Sequence, residues 1–269
     1  MKTAETSTRA TSDGPPGYSH VYFVGAGPGD PELLTVRAVR LLALAEVVLV
    51  DDLAGEAVLA LAPTARIIRV GKRGGCASTP QSFIERLMVR EALAGRRVVR
   101  LKGGDCGVFG RLAEEIAALD AARVAWTVVA GITAGIAAAA TLGVPLTDRE
   151  RAHGVAFITG HGAEGADVDW SAFAHSRLTL VAYMAVARVG MLASNLLQAG
   201  MPIDTPVIAV ERVGSMSERN LASRLIDMEA SFKASGLASP AVLLIGEAMR
   251  ERALALMVGD AVRLPAQVG

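Results

Sequence analysis

The run from Val98 to Leu101 is short, largely apolar and rich in β-branched residues, and Gly103 and Gly104 end it abruptly. A strand without apolar–polar alternation is buried on both faces, as in a parallel sheet. Leu112 to Leu119 then reads as a helix. Strand, glycine pair, Asp105 and helix together put bare backbone at the carboxyl end of a sheet, where open α/β sheets bind ligands. The glycines allow a ligand close to the main chain, and Asp105 offers a carboxylate to hydroxyl or ammonium groups.

The same alternation runs through the first half of the chain. Strands are predicted at His20–Val24, Glu46–Asp51, Arg66–Val70 and Ala125–Val129. Helices are predicted from Pro31 onward, with Leu34, Val36, Val39, Leu42 and Leu44 facing inward, and at Gly55–Leu61. Another follows Thr79 and Pro80, with Gly95 just past its end, and an alanine-rich one follows Ala130–Ala134. The pattern predicts a parallel α/β domain. The loop Gly25–Asp30 invites a dinucleotide fingerprint, but Asp30 stands where its last glycine belongs. Pro28 also removes an amide that phosphate binding needs, so NAD is discounted.

Beyond the polar connection 145–153, strands are predicted at Val155–Thr159, Leu178–Met184, Pro206–Glu211 and Pro240–Gly246. Helices are predicted at Val186–Leu197, Leu221–Ser235 and Glu247–Leu256. The fold class is therefore α/β, with two α/β domains and a ligand cleft between them. The expected organisation is a tail at 1–18 rich in Thr, Ser, Gly and Pro, an N-terminal domain at 19–144, a linker at 145–153 and a C-terminal domain at 154–269.

Composition narrows the function classes. Lys and Arg balance Asp and Glu, and there is no basic block, which argues against nucleic acid. Cys76 and Cys106 are too few for a disulfide framework or a zinc site, and the four histidines have no paired ligand spacing. Ala130–Val144 is apolar but too short for a bilayer, and the first residues lack a signal-peptide core. A cytoplasmic protein with no membrane partner is expected. Cys106 reads as a small filler, His161 as a turn residue, and Trp126 and Trp170 as packing anchors.

Several short motifs recur in a fixed order: Val24–Pro31, Val70–Arg73, Val99–Asp105, Gly131–Thr133, Pro145–Thr147, Thr159–His161, Tyr183–Met184, Val210–Arg212, Ser239–Ala241 and Gly246–Glu247. In this order, from about His20 to Arg250, the chain resembles the uroporphyrinogen-III C-methyltransferases of the tetrapyrrole methylase superfamily. The resemblance implies two α/β domains with S-adenosylmethionine (SAM) in their cleft, and a homodimer. It implies two successive methylations of uroporphyrinogen III, through precorrin-1 to precorrin-2. It implies SAM contacts at Pro28, Gly103, Gly104, Asp105, Val108, Thr133, Ala134, Met184 and Val213. Asp51 matches a proton acceptor and Lys72 a proton donor, while Arg111, Glu114 and Arg149 match residues of substrate binding or catalysis.

The chain departs from the family pattern near these positions. Tyr-Asp-Arg reads Val50-Asp51-Asp52, and Gly-Gly-Asp-Pro-Phe reads Gly103-Gly104-Asp105-Cys106-Gly107. The alternatives are a SAM-dependent methyltransferase for another precorrin or modified tetrapyrrole, and a SAM- or tetrapyrrole-binding protein with weak catalysis.

Overall fold

The computed structural model describes residues 20–71, 79–160 and 168–259. The predicted tail, Lys72 with its neighbours Arg73 and Cys76, and His161 lie outside the described residues.

The first half alternates strand and helix in chain order: β1 (His20–Gly25), α1 (Val36–Leu44), β2 (Val47–Val50), α2 (Glu56–Leu59), β3 (Arg66–Arg69), α3 (Gln81–Leu93), β4 (Arg97–Lys102), α4 (Leu112–Ala121) and β5 (Ala125–Val129). The strands form one parallel sheet in the order β3-β2-β4-β1-β5. Val47, Val48, Leu49 and Val50 of β2 are all buried, the signature of a strand covered on both faces. One face carries a core with Ala38, Leu42 and Val58 from α1 and α2, and the other a core with Ile84, Met88 and Leu119 from α3 and α4.

α5 (Ala134–Leu142) follows β5 but packs on the second sheet, where Ala137, Ala138 and Leu142 meet Val181, Ile208 and Leu244. That sheet is built from β6 (Gly154–Thr159), β7 (Leu178–Tyr183), β8 (Pro206–Glu211), β9 (Arg219–Arg224) and β10 (Ala241–Ile245), in the order β6-β7-β10-β8-β9. Only β6 and β7 run parallel; the other neighbours are antiparallel. α6 (Trp170–Ala174), α7 (Val189–Gln198) and α8 (Met228–Ser235) cover one face, and α9 (Arg250–Val258) joins α5 on the other. No helix among the described residues is long and apolar enough to cross a membrane.

Three sequence expectations are corrected. The segment Leu221–Ser235 is not one helix: Arg219–Arg224 is strand β9, and α8 begins only at Met228. The ladder to β8, with Val207 opposite Ser223 and Ala209 opposite Leu221, overrides the local helical pattern. The helix after Pro31 is also interrupted. Asp30 caps a short 3-10 turn at Pro31–Leu33, and Thr35 caps a new start by accepting from the Ala38 amide at 3.2 Å. This restart turns Ala38 and Leu42 inward and leaves Val36 (75 %) and Leu44 (55 %) exposed. Trp126 is the third case. It lies on the edge strand β5, stays exposed, and donates its indole N–H to Asp120. Trp170 does pack on the second core.

One buried carboxylate ties α3 to the first sheet. Glu91 is almost fully buried and pairs with Arg66 at 2.5 Å, Arg90 at 2.8 Å and Arg96. Burial alone raises its pKa, but the three arginines outweigh burial and hold it at about 2, against an ordinary 4.5. A carboxyl depressed on folding stabilises above its unfolded pKa and loses that contribution as pH falls towards the folded value. Glu91→Gln should therefore lower unfolding stability at pH 7 by roughly 1–3 kcal/mol. Urea titrations at several pH values should show the gap from wild type closing between about pH 4.5 and pH 2.

Candidate active site

The site begins where β1, β4 and β5 leave the first sheet. β1 and β4 are parallel neighbours with Gly25 opposite Lys102, so both end at one level. The main chain continues the pairing: Ala26 N–H donates to Lys102 O at 2.7 Å, and Gly27 and Gly104 exchange hydrogen bonds of 3.2 and 2.7 Å. The loop after β5 lies against them. A Cβ at Gly25 would stand 2.6 Å from Gly131 Cα, and one at Gly131 would stand 2.3 Å from Gly104 O. Real Cβ atoms do not approach backbone that closely, so this junction requires glycine at both positions.

Asp105 braces the junction. Its Oδ1 accepts from Gly107 N–H at 2.8 Å, and its Oδ2 accepts from Gly131 N–H at 2.9 Å. The second bond joins the loop after β4 to the loop after β5. The carboxylate expected to meet a ligand is thus turned towards backbone amides.

Beyond the junction a cleft of about 390 Å³ separates the two sheets. Pro28, Asp51, Leu53, Gly103, Gly104 and Val108 line it from the first sheet's loops. Thr133 and Ala134 line it from the start of α5, and Tyr183, Met184, Arg212 and Val213 from the ends of β7 and β8. Tyr183 fixes the junction of the two sides. Its hydroxyl is 2.8 Å from Thr133 Oγ1 and accepts from Gly135 N–H at 3.0 Å. A Cβ on Gly135 would come within 2.3 Å of Val181 and 2.8 Å of the Tyr183 hydroxyl, so glycine is required for this contact. Phe109 packs against Tyr183 with ring centroids 5.2 Å apart and the rings tilted by 53°.

Beneath the cleft lies a row of buried charges. Arg100 and Lys102 are two apart on β4 and point to one face. Arg100 Nη2 meets Asp51 Oδ1 at 2.6 Å, and Arg100 Nε meets Glu115 Oε1 at 3.0 Å. Lys102 Nζ meets Glu115 Oε2 at 2.8 Å, and Gln81 adds a bond to Glu115 at 3.2 Å. Burial by itself lowers the Arg100 pKa, but the Asp51 and Glu115 carboxylates raise it above the ordinary arginine value. Two cations and two anions balance, which is how charges survive in an interior. Asp51 is the end that opens to the cleft, with its side chain 30 % exposed.

Nine of the residues singled out from sequence line this one cleft: Pro28, Asp51, Gly103, Gly104, Val108, Thr133, Ala134, Met184 and Val213. Of the others among the described residues, Asp105 braces the junction and three stand outside the lining. Arg111, at the start of α4, and Glu114 form an exposed ion pair of 2.5 Å beside Gly110, which does line the cleft. Their hydrogen bond comes first in raising the Arg111 pKa and in lowering that of Glu114. Arg149 is exposed in the 148–152 turn and does not line the cleft. Cys106 is fully buried, and burial pushes its thiol up to about 12, which suits a filler and not a nucleophile. Arg100, Lys102, Glu115, Tyr183 and Arg212 were given no site role from sequence, although all but Glu115 lie within the ordered motifs. The signal for the first two was a pair of cations two apart inside an otherwise apolar strand.

The brace is testable. Asp105→Ala removes two bonds to backbone amides, each worth about 1.5–3 kcal/mol for a charged acceptor. Its melting temperature without any ligand should fall by several degrees, since about 1 kcal/mol shifts a chain of this size by about 2–4 °C. An unchanged melting temperature would show that Asp105 does not hold the junction.

A family model described as Tetrapyrrole (Corrin/Porphyrin) Methylases matches residues 20–228. The chain is 48 % identical over 231 residues to a uroporphyrinogen-III C-methyltransferase of Pseudomonas aeruginosa, covering 86 % of this chain and 94 % of that one. It is similar to the crystal structure of a uroporphyrin-III C-methyl transferase from Thermus thermophilus complexed with S-adenyl homocysteine, with 42 % identity, a TM-score of 0.73, and coverage of 86 % and 94 %. A cobalt precorrin-4 methyltransferase structure shares 26 % identity with a TM-score of 0.78, over 86 % of this chain and 96 % of that one. The strand-end glycine junction, the cleft between two sheets and these similarities together establish that the chain belongs to the tetrapyrrole (corrin/porphyrin) methylases.

Proposed function

We propose that this chain transfers methyl groups from SAM to pyrrole carbons of uroporphyrinogen III, twice in succession, giving precorrin-2 by way of precorrin-1. The observation that carries this reading is the cleft at the exits of β1, β4 and β5, with one arginine-anchored carboxylate, Asp51, opening into it. The similar uroporphyrinogen-III C-methyltransferase of Pseudomonas aeruginosa supports the choice of substrate, and the S-adenyl homocysteine in the Thermus thermophilus structure supports the methyl donor.

The lining fits SAM in chemical type. Leu53, Val108, Ala134 and Val213 offer apolar surface for a base, and glycine loops offer backbone groups for a ribose and an amino-acid tail. Pro28, Gly103, Gly104, Thr133 and Met184 complete the proposed contacts, with Asp105 acting on them through the loop it braces. The bound cofactor supplies an electrophilic methyl group on a sulfonium. The chain's task is to hold that methyl in line with a pyrrole carbon, which is mainly orientation.

Each transfer forms a carbon–carbon bond as the sulfur–methyl bond breaks, its electron pair staying on sulfur. The methylated ring then gives up one proton. Asp51 accepts it, and Arg100 at 2.6 Å keeps that carboxylate fixed in direction. Lys72 is the proposed proton donor. Arg111 and Glu114, beside the cleft, and Arg149 are proposed contacts for the carboxylate-rich substrate. A cytoplasmic homodimer with α/β domains at 19–144 and 154–269 completes the proposal.

Turnover with SAM and anaerobically prepared uroporphyrinogen III should release S-adenosylhomocysteine and yield a tetrapyrrole heavier by two methyl groups. SAM binding without methylated product would contradict the proposal. Asp51→Asn should lower kcat by about 10²–10⁴-fold, the usual range for a lost acid–base group, with the SAM Kd within twofold of wild type. Wild-type kcat in that variant would remove Asp51 from the proton path.

A further inference from the structure

Among the described residues, five that are not glycine have left-handed backbone, and four of these lie in or beside the cleft: Phe109, Arg111, Met184 and Arg212, with φ between 52° and 54°. A residue with a Cβ disfavours this conformation, and it persists where the surroundings over-determine it, often at ligand sites. Three of the four line the cleft, and Arg212 is the one among them that carries charge.

Arg212 directly follows β8, and its amide donates to Pro240 O at 2.9 Å, which fixes the turn. Its guanidinium, in a side chain 47 % exposed, has one ionic neighbour, Glu211, at 3.4 Å. That separation is long for a charge-assisted bond, and among the described residues the guanidinium makes no hydrogen bond. Glu211 is itself buried and also faces Arg219 on β9 at 3.2 Å. The cleft's other cation, Lys102, is 4 % exposed and already paired with Glu115. Arg212 thus lines the cleft with a half-exposed side chain, and among the described residues nearly all of its five donors are unengaged.

We infer that Arg212 anchors a carboxylate of a bound ligand, as a binding residue that its left-handed backbone aims into the cleft. The planar fork of arginine suits a carboxylate held through two parallel bonds. This rests on the proposed function, in which both ligands carry carboxylates: SAM on its amino-acid tail, and the tetrapyrrole on its ring substituents. Glu211 stands behind as a guide, too distant to saturate the guanidinium.

The test is Arg212→Gln in the full chain, with Arg212→Lys as the variant that keeps the charge and loses the fork. Each is checked for wild-type thermal unfolding, then for SAM Kd by calorimetry and for uroporphyrinogen III KM in steady state. In Arg212→Gln one of these constants should rise about tenfold to a hundredfold, the loss of a charge-assisted contact, while the other stays within threefold. The constant that moves names the source of the carboxylate. Arg212→Lys should fall between Gln and wild type, and the affected constant should depend on salt less steeply in Arg212→Gln than in wild type. Both constants within twofold of wild type in Arg212→Gln would overturn the inference while the functional proposal stands. A wild-type protein that neither binds SAM nor methylates the tetrapyrrole would overturn both.

Discussion

The cleft depends on the bonds of one carboxylate. Asp105 holds Gly131 N–H at 2.9 Å, and so ties the loop after β4 to the loop after β5, two segments 26 residues apart. Around that bond the glycines at 25, 104 and 131 bring three strand exits within backbone contact. A side chain at Gly25 or Gly131 would push the exits apart, and Gly104 needs its left-handed φ of 69°. Because α5 starts immediately beyond Gly131, the brace also fixes where Thr133 and Gly135 meet Tyr183 of the second sheet. A local rule about glycine thus becomes a statement about how the two sheets face one another.

The second constraint is electrostatic. The Asp51–Arg100–Glu115–Lys102 row sits under the cleft floor with every charge opposed at 2.6–3.0 Å. Removing one member would strand its partner in a dry interior, at a cost of about 3–5 kcal/mol. The row therefore leaves Asp51 little freedom. A carboxylate fixed in direction and partly open to the cleft is suited to accept a proton from a ligand above it. Buried charge acts here as scaffolding for one reactive group.

Much of the first sheet was legible, because its strands are short apolar runs ended by glycine or aspartate. β5 matches its expected bounds, as does β8 in the second sheet. The misreadings have local causes. Thr35 is a second cap that no apolar spacing shows, and it rotated α1 so that Val36 and Leu44 face outward. β9 is held by its ladder to β8 and not by its own pattern. In the site, residues on strand-end loops could be found because chemistry and position coincide there. Arg100 and Lys102 were passed over as parts of an apolar strand, although two cations on one face of a buried strand require buried anions. Arg212 and Tyr183 reach the cleft through the return path of the second sheet, which linear spacing does not reveal. The direction of the Asp105 carboxylate follows from loops meeting in space, which linear spacing does not show.

On the proposed function, the braced strand exits and the rim of the second sheet form one cofactor site. A crystal structure of the chain with S-adenosylhomocysteine tests it most directly. Ligand density is expected between the Gly103–Gly104 backbone and the Thr133–Ala134 start of α5, with Asp105 still bonded to Gly131. Density outside this cleft, or an Asp105 carboxylate released from Gly131 and bonded to the ligand instead, would contradict it.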